Sequence, residues 1–194
     1  MEKWKLSFFI LLSANFLFFL TAAALLFLPG EKPSEKKMEW DDQHFAAFKV
    51  ETNKQSLTKL INDYLKKEAD NQPLTYQVNI TDEDVKLYGS LIAFGRELDM
   101  IMAFEPHVTK DGNVILLVKN LSVGKLSVPV AYVLKYIKSQ YQLPKEVVID
   151  SQKRRVIVDL NELTLQNGSK IRAETIDLKK GVISATLFVR LPLQ

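Results

Sequence analysis

The pattern of apolar and polar positions predicts two amphipathic helices in this chain. In the first, apolar residues recur at intervals of three and four, which places them on one helix face; they are Leu57, Leu60, Ile61, Tyr64 and Leu65. Asn53 precedes this stripe and can cap the helix. The second stripe begins after Pro129, a residue that suits the first helical turn, and consists of Val130, Val133, Leu134, Ile137 and Tyr141.

Most of the remaining sequence after residue 38 alternates between apolar and polar positions, which is typical of β-strands. One predicted strand face carries Leu98, Met100, Met102 and Phe104, and the face of the last strand carries Ile183, Ala185, Leu187, Val189 and Leu191. Asp111-Gly112 and Lys180-Gly181 are turn signals between strands. A change of phase near Glu174-Thr175 predicts a β-bulge.

These elements predict an α+β fold in which a curved antiparallel sheet packs around two helices. Crossovers long enough for a parallel sheet are missing from the pattern. Residues 87–94 and 114–118 are apolar on both strand faces, so both faces need cover. The helices can cover one face of these strands. The other face can be covered by a second sheet, by strong curvature of the sheet, by a protein partner or by an apolar ligand.

The N-terminus carries the most informative segment. Residues 6–28 contain no charged side chain, and a helix over this run would be about 34 Å long, enough to cross a hydrocarbon core of about 30 Å. Lys3 and Lys5 precede it, so the positive-inside rule places the N-terminus in the cytoplasm. A cleaved signal peptide is the alternative, since Ala22-Ala23-Ala24 resembles a cleavage site. The apolar run continues past that site, which favours a retained anchor.

The predicted organisation has four parts: a cytoplasmic tail over residues 1–5, a transmembrane helix over 6–28, a linker over 29–38, and an extracytoplasmic α+β domain over 39–194. The expected location is therefore the cell membrane, crossed once, with the C-terminal domain outside. Membrane lipid is the first expected partner, through the anchor.

Composition excludes several classes of chemistry. The chain has no cysteine, which removes disulfides, zinc fingers and thiol nucleophiles. It has two histidines, His44 and His107, and neither lies in a hydrolase or metal motif. Thr81-Asp82-Glu83-Asp84 lacks the ligand spacing of a calcium loop and is interpreted as a turn. A dispersed net charge of +3 does not favour nucleic acid. We therefore expect a non-enzymatic protein with no catalytic residue, no metal site and no cofactor.

Several segments resemble the YpmS-like family of small membrane-anchored proteins of Gram-positive bacteria. The similar pieces are the apolar run 6–28, the first helix near Asn53, and the motifs Phe104-Glu105-Pro106, Asp111-Gly112-Asn113 and Val123-Gly124-Lys125-Leu126-Ser127-Val128-Pro129. These motifs consist of turn glycines, a helix-starting proline and apolar strands. The resemblance covers essentially the whole chain and transfers no catalytic residue.

At the level of fold, the order of helix, long strands and second helix is similar to tubular lipid-binding (TULIP-like) domains, in which a curved sheet holds acyl chains against a helix. By this analogy the expected groove lies between two apolar faces, made of Leu57, Ile61 and Leu65 on the helix and Leu98, Met100, Met102 and Phe104 on the strand. The alternative is that the two methionines belong to an ordinary core.

The expected function is binding of a lipid or a lipid-linked envelope precursor, in a carrier or chaperone role. The alternative is an accessory subunit that docks on an envelope enzyme or complex through its apolar strands.

Overall fold

The computed structural model describes residues 45–69, 76–93, 95–124, 128–163, 165 and 168–191. The expected tail (1–5), anchor (6–28) and linker (29–38) lie outside the described residues. Among the helices that are described, none combines the length and the apolar character that crossing a bilayer requires.

The described elements follow one another as β1 (Phe45–Thr52), α1 (Lys54–Ala69), β2 (Gln77–Ile80), β3 (Val85–Ala93), β4 (Arg96–Val108), β5 (Val114–Val123), α2 (Val130–Gln140), β6 (Val147–Asp150), β7 (Arg155–Val158), β8 (Lys170–Asp177) and β9 (Val182–Arg190). All strand pairs are antiparallel. The α+β class is confirmed. The strands form two sheets, whereas the sequence pattern predicts a single curved one: a small sheet ordered β1-β9-β8 and a large sheet ordered β2-β3-β4-β5-β7-β6.

Local sequence signals account for most element boundaries. The Asn53 side chain accepts a hydrogen bond of 2.8 Å from the Ser56 backbone N–H, which is the expected cap of α1. Pro129 directly precedes α2. The register between β8 and β9 shifts at Glu174, so the predicted bulge is confirmed. The Asp111-Gly112 signal lies in the turn that joins β4 to β5.

The main core lies between α2 and one face of the large sheet. Residues that pair across antiparallel strands share a face, and one such row runs from Val78 through Leu87 and Met102 to Leu121. The buried residues of this core are Leu91, Met100, Met102, Phe104, Leu121, Val123 and Ile149 of the sheet with Val133, Leu134 and Ile137 of α2. Leu134 has no exposed surface, so α2 is fully seated on the sheet.

A second, smaller core lies under α1. Its buried members are Val78 and Ile80 of β2 and Leu178, which follows β8. Leu57, Ile61 and Leu65 of α1 pack against them and remain partly exposed. Ile176 of β8 packs on the same cluster, and the Lys54 ammonium of α1 donates to the Leu178 carbonyl at 3.3 Å, so this core joins α1 to the end of β8.

The turn between β4 and β5 joins the two sheets a second time. The Gly112 carbonyl accepts a hydrogen bond of 2.9 Å from the Ala173 N–H of β8. The Arg172 guanidinium donates to the Lys110 carbonyl at 2.5 Å. On the other side, the Asn113 side-chain oxygen accepts hydrogen bonds from Leu160 N–H and from the Asn161 amide. The Asp111-Gly112-Asn113 motif therefore fixes the small sheet and the segment leading to it.

Candidate ligand-binding surface

The strand half of the expected groove is buried in the main core. Met100, Met102 and Phe104 are 2–3% exposed, and Leu98 packs against the same cluster. Their neighbours in this cluster include Val133, Leu134 and Ile137 of α2. In the described structure this strand face packs against α2.

The helix half of the expected groove lies in the second core. Leu57, Ile61 and Leu65 pack with Val78, Ile80 and Leu178. The structure brings residues together within each half but places the two halves in separate clusters. Val85 and Leu87 of β3 pack against both clusters and are the connection between them.

Uncovered apolar surface is found instead on the small sheet. The register places Phe48 beside Leu187, and Leu187 beside Ile171; in the next row Val50 lies beside Ala185, and Ala185 beside Ala173. We call this side the apolar small-sheet face; it consists of Ala46, Phe48, Val50, Ile171, Ala173, Ile176, Ile183, Ala185, Leu187 and Val189. The opposite side is mixed, with Lys49, Glu51, Arg172 and Thr186.

The side chains of the apolar small-sheet face differ in their exposure to solvent. At one end, Ile183 and Ala173 are buried. Towards the other end the β9 residues Leu187 and Val189 are partly exposed, and on β1 the side chains become open, with Val50 39% and Phe48 53% exposed. Burying a phenylalanine side chain fully stabilises by about 1.5–3 kcal/mol. Phe48, Val50 and Leu187 therefore leave a contiguous apolar surface open to solvent.

Two further apolar surfaces are exposed. On α1, Leu60 and Tyr64 extend the apolar stripe past the residues that face the second core, and Leu60 is 65% exposed. On the outer side of the large sheet, Tyr88 lies directly opposite Ile101, and both are more than one-third exposed. Leu117 of β5 is exposed on that side as well.

Polar side chains attach each helix to a strand edge. The Asn62 amide of α1 donates to the Val78 carbonyl at 2.8 Å and its oxygen accepts from the Val78 N–H at 2.7 Å. Asn62 thus takes the place of a neighbouring strand beside β2. On α2, Tyr136 donates to the Ile92 carbonyl, and the Tyr141 hydroxyl that follows the helix accepts from the Ile92 N–H at 2.9 Å.

The tyrosines beside Ile92 form a cluster. The rings of Tyr136 and Tyr141 meet edge to face, with centroids 6.4 Å apart. Burial, followed by the neighbouring Tyr141, raises the pKa of Tyr76 to about 12. Tyr76 therefore stays neutral throughout the physiological range.

Replacing Asn62 with alanine is expected to lower the free energy of unfolding by about 2 kcal/mol, because the Val78 N–H and carbonyl both lose their partner. Chemical denaturation of the full chain, followed by circular dichroism, measures this. Gln55→Ala, on an exposed position of the same helix, is the matched control and should change stability by less than about 0.5 kcal/mol. An equal effect of the two substitutions would contradict the role given to Asn62.

The other residues considered for chemistry are His107 and the acidic turn 81–84, whereas His44 lies outside the described residues. His107 lies 3.3 Å from Glu105, and both side chains are about half exposed. Thr81 closes the predicted acidic turn, because its hydroxyl donates to the Asp84 carboxylate at 2.7 Å and accepts from the Asp84 N–H. A further ion pair joins the last residue of β6, Asp150, to the first residue of β7, Arg155, at 3.1 Å. Within the described ranges, no group of three acidic or histidine side chains could hold a metal ion.

Comparison with known proteins identifies the family of this chain. Residues 2–189 match the model of a bacterial family described as "Uncharacterized protein conserved in bacteria (DUF2140)". The chain belongs to the DUF2140 family. A relative from Bacillus subtilis (strain 168), "Uncharacterized protein YpmS", is 39% identical over 188 residues, which cover 97% of this chain and 98% of the relative. The resemblance to the YpmS-like family is thereby confirmed. No solved structure matches this DUF2140 chain.

The sequence pattern gave an incomplete account of the exposed surface. It placed Leu187 and Val189 on one face of the last strand, and that face is part of the apolar small-sheet face. Phe48 and Val50 were missed as surface candidates. The sequence signal for these two residues was an alternation that indicates a strand with one apolar and one more polar side but does not show which strand pairs with it. The apolar positions are Ala46, Phe48 and Val50, and they alternate with Ala47, Lys49 and Glu51.

Proposed function

We propose that this protein is anchored in the cell membrane by residues 6–28 and that its extracytoplasmic domain binds an acyl chain on the apolar small-sheet face. The ligand class is a membrane lipid or a lipid-linked envelope precursor, and the role is that of a non-enzymatic carrier or chaperone. The observation that carries the proposal is the open end of this face, where Phe48 and Val50 are exposed beside Leu187.

The position of β1 in the chain supports this proposal. Residues 29–44 separate the expected anchor from β1, and a fully extended chain of that length reaches at most about 55 Å. If residues 6–28 form the anchor, this length is an upper limit on the distance between the anchor and β1.

The test is photo-crosslinking in vesicles. The full chain is reconstituted in phosphatidylglycerol vesicles that contain a phospholipid with a diazirine on one acyl chain. After irradiation, the protein is digested and lipid-modified peptides are located by mass spectrometry. We expect adducts in the anchor, which serve as an internal positive control, and in β1 and β9. Phe48→Ser should lower the domain adducts roughly tenfold at subsaturating probe, the equivalent of about 1.4 kcal/mol.

Tyr132→Ser provides the matched control, because Tyr132 is an aromatic residue of α2 that is 66% exposed. This substitution should leave the adducts on β1 and β9 unchanged. Adducts confined to the anchor, or an equal loss in both variants, would overturn lipid binding on the small sheet.

A second candidate function is that of an accessory subunit for an envelope enzyme or complex. The observation that favours it is the outer side of the large sheet, where the Tyr88–Ile101 pair and Leu117 are exposed. Aromatic residues at the centre of an apolar patch are common anchors of protein interfaces. Loss of a co-purifying membrane protein in Tyr88→Ser, with lipid adducts unchanged, would select this function.

A further inference from the structure

Among the described strands, β1 lies at an edge of the small sheet. In the part of the chain that the structure describes, β1 pairs with β9 alone. Residues Ala47 to Thr52 are all exposed. An edge strand of this length presents backbone N–H and C=O groups that form a template for another strand.

The charges on β1 complement a second copy of the same strand. Lys49 and Glu51 lie on the polar side of the sheet, and their side chains are 68% and 71% exposed. The Lys49 Nζ lies 3.6 Å from the Glu51 Oε1. If two copies of β1 pair antiparallel about Val50, each Lys49 lies directly opposite Glu51 of the other copy. The two-fold axis generates this pair twice, and opposite charges in such positions stabilise a sheet.

Other registers lose this complementarity. Because side chains alternate between the two faces, only registers that keep the apolar sides together are acceptable. Centring the pair on Lys49 places the two lysines opposite each other, which is destabilising. Centring it on Phe48 places Lys49 opposite Ala47 and leaves both charges without an opposite partner.

We propose that two copies of this protein associate through β1, antiparallel and centred on Val50. The product is a continuous sheet ordered β8-β9-β1-β1-β9-β8. Its apolar side joins the two apolar small-sheet faces, with Val50 against Val50 and Phe48 against Thr52 of the other copy. This association goes beyond the proposed lipid binding and does not depend on it.

The lack of cysteine in the chain allows a direct test. In the proposed register the two Val50 residues lie opposite each other, at a Cα separation of about 4.5–5.5 Å, which a disulfide can bridge. The full chain with Val50→Cys, oxidised in native membranes, should form a disulfide dimer on a denaturing gel. Ile101→Cys, on the outer side of the large sheet and 42% exposed, is the control for random collisions between anchored chains.

Charge exchange tests the register. In the Val50→Cys background, Lys49→Glu places like charges opposite each other twice and should lower the dimer fraction at least threefold. The double exchange Lys49→Glu with Glu51→Lys restores both pairs and should restore the dimer. Melting temperatures of the same variants establish that each is folded.

The crosslinking results test both the association through β1 and its register. A dimer from Val50→Cys that exceeds the Ile101→Cys level, falls with Lys49→Glu and returns with the double exchange supports the proposal. A Val50→Cys dimer no more abundant than the Ile101→Cys dimer overturns it. A dimer that is insensitive to the charge of residue 49 overturns it as well, because the register then has another basis.

Discussion

Gly112→Ala is expected to lower the free energy of unfolding by about 2–4 kcal/mol. Gly112 has φ of 78°, in the left-handed region where a side chain is unfavourable. A Cβ at this position would also overlap the Cγ of Arg172. The Arg172 side chain would have to move, which would break its hydrogen bond to Lys110. Thermal and chemical denaturation of the full chain measure the loss.

Gly181→Ala separates the two causes. Gly181 has a similar φ of 68°, but its Cβ would meet no atom within 4 Å. This variant should therefore lose only the stability that a side chain costs in the left-handed region, about 1–2 kcal/mol. Adding Arg172→Ala to Gly112→Ala removes the overlap and should make the glycine substitution less costly. If Gly112→Ala is no more destabilising than Gly181→Ala, the contact between the β4–β5 turn and β8 does not have the importance given to it here.

Met100→Trp is the second substitution with a large expected effect. Met100 is 2% exposed and lies among the residues that α2 covers. A larger side chain there forces displacement of α2 or of the sheet, at a cost of about 3 kcal/mol, the upper end of typical overpacking. We expect a marked fall in melting temperature, with acyl-chain crosslinks on β1 and β9 retained in the folded fraction.

Ile101→Trp is the matched control, since the next residue of the same strand points to the opposite, exposed side. It should leave stability nearly unchanged. The sequence-based groove predicts another outcome for Met100→Trp: unchanged melting temperature with loss of bound lipid. That result would return the ligand to the face formed by Met100 and Met102, and would remove it from the small sheet.

Sequence periodicity predicted the parts of the fold that depend on neighbours in the chain. The stripe from Leu57 to Leu65, the start of α2 at Pro129 and the bulge at Glu174 all follow from local spacing or backbone chemistry, and the structure contains each of them. The alternation from Leu98 to Phe104 likewise gave the buried side of β4 correctly.

Periodicity could not predict which apolar face meets which. Both the β4 face and the α1 stripe need a partner, and the alternation is equally satisfied by a groove between them or by two separate cores. The division depends on α2, whose fully buried Leu134 belongs to the same core as Met100, Met102 and Phe104 of β4. It also depends on Asn62, which directs α1 to the edge of β2 through two hydrogen bonds. An exposed-looking asparagine in a helix gives no local signal of this role.

The pairing of β1 with β9 joins the first described strand to the last, and this has a consequence for the timing of folding. In the proposed topology the chain leaves the cytoplasm in sequence order, so β1 emerges before all of its partners. At a synthesis rate of about 5–20 residues per second, β9 follows on the order of ten seconds later. During that interval Phe48 and Val50 have no sheet to join. The small sheet is therefore the last of the two described sheets to be completed, and a chain that stops between residues 158 and 182 contains all described strands of the large sheet but lacks β9 of the small one.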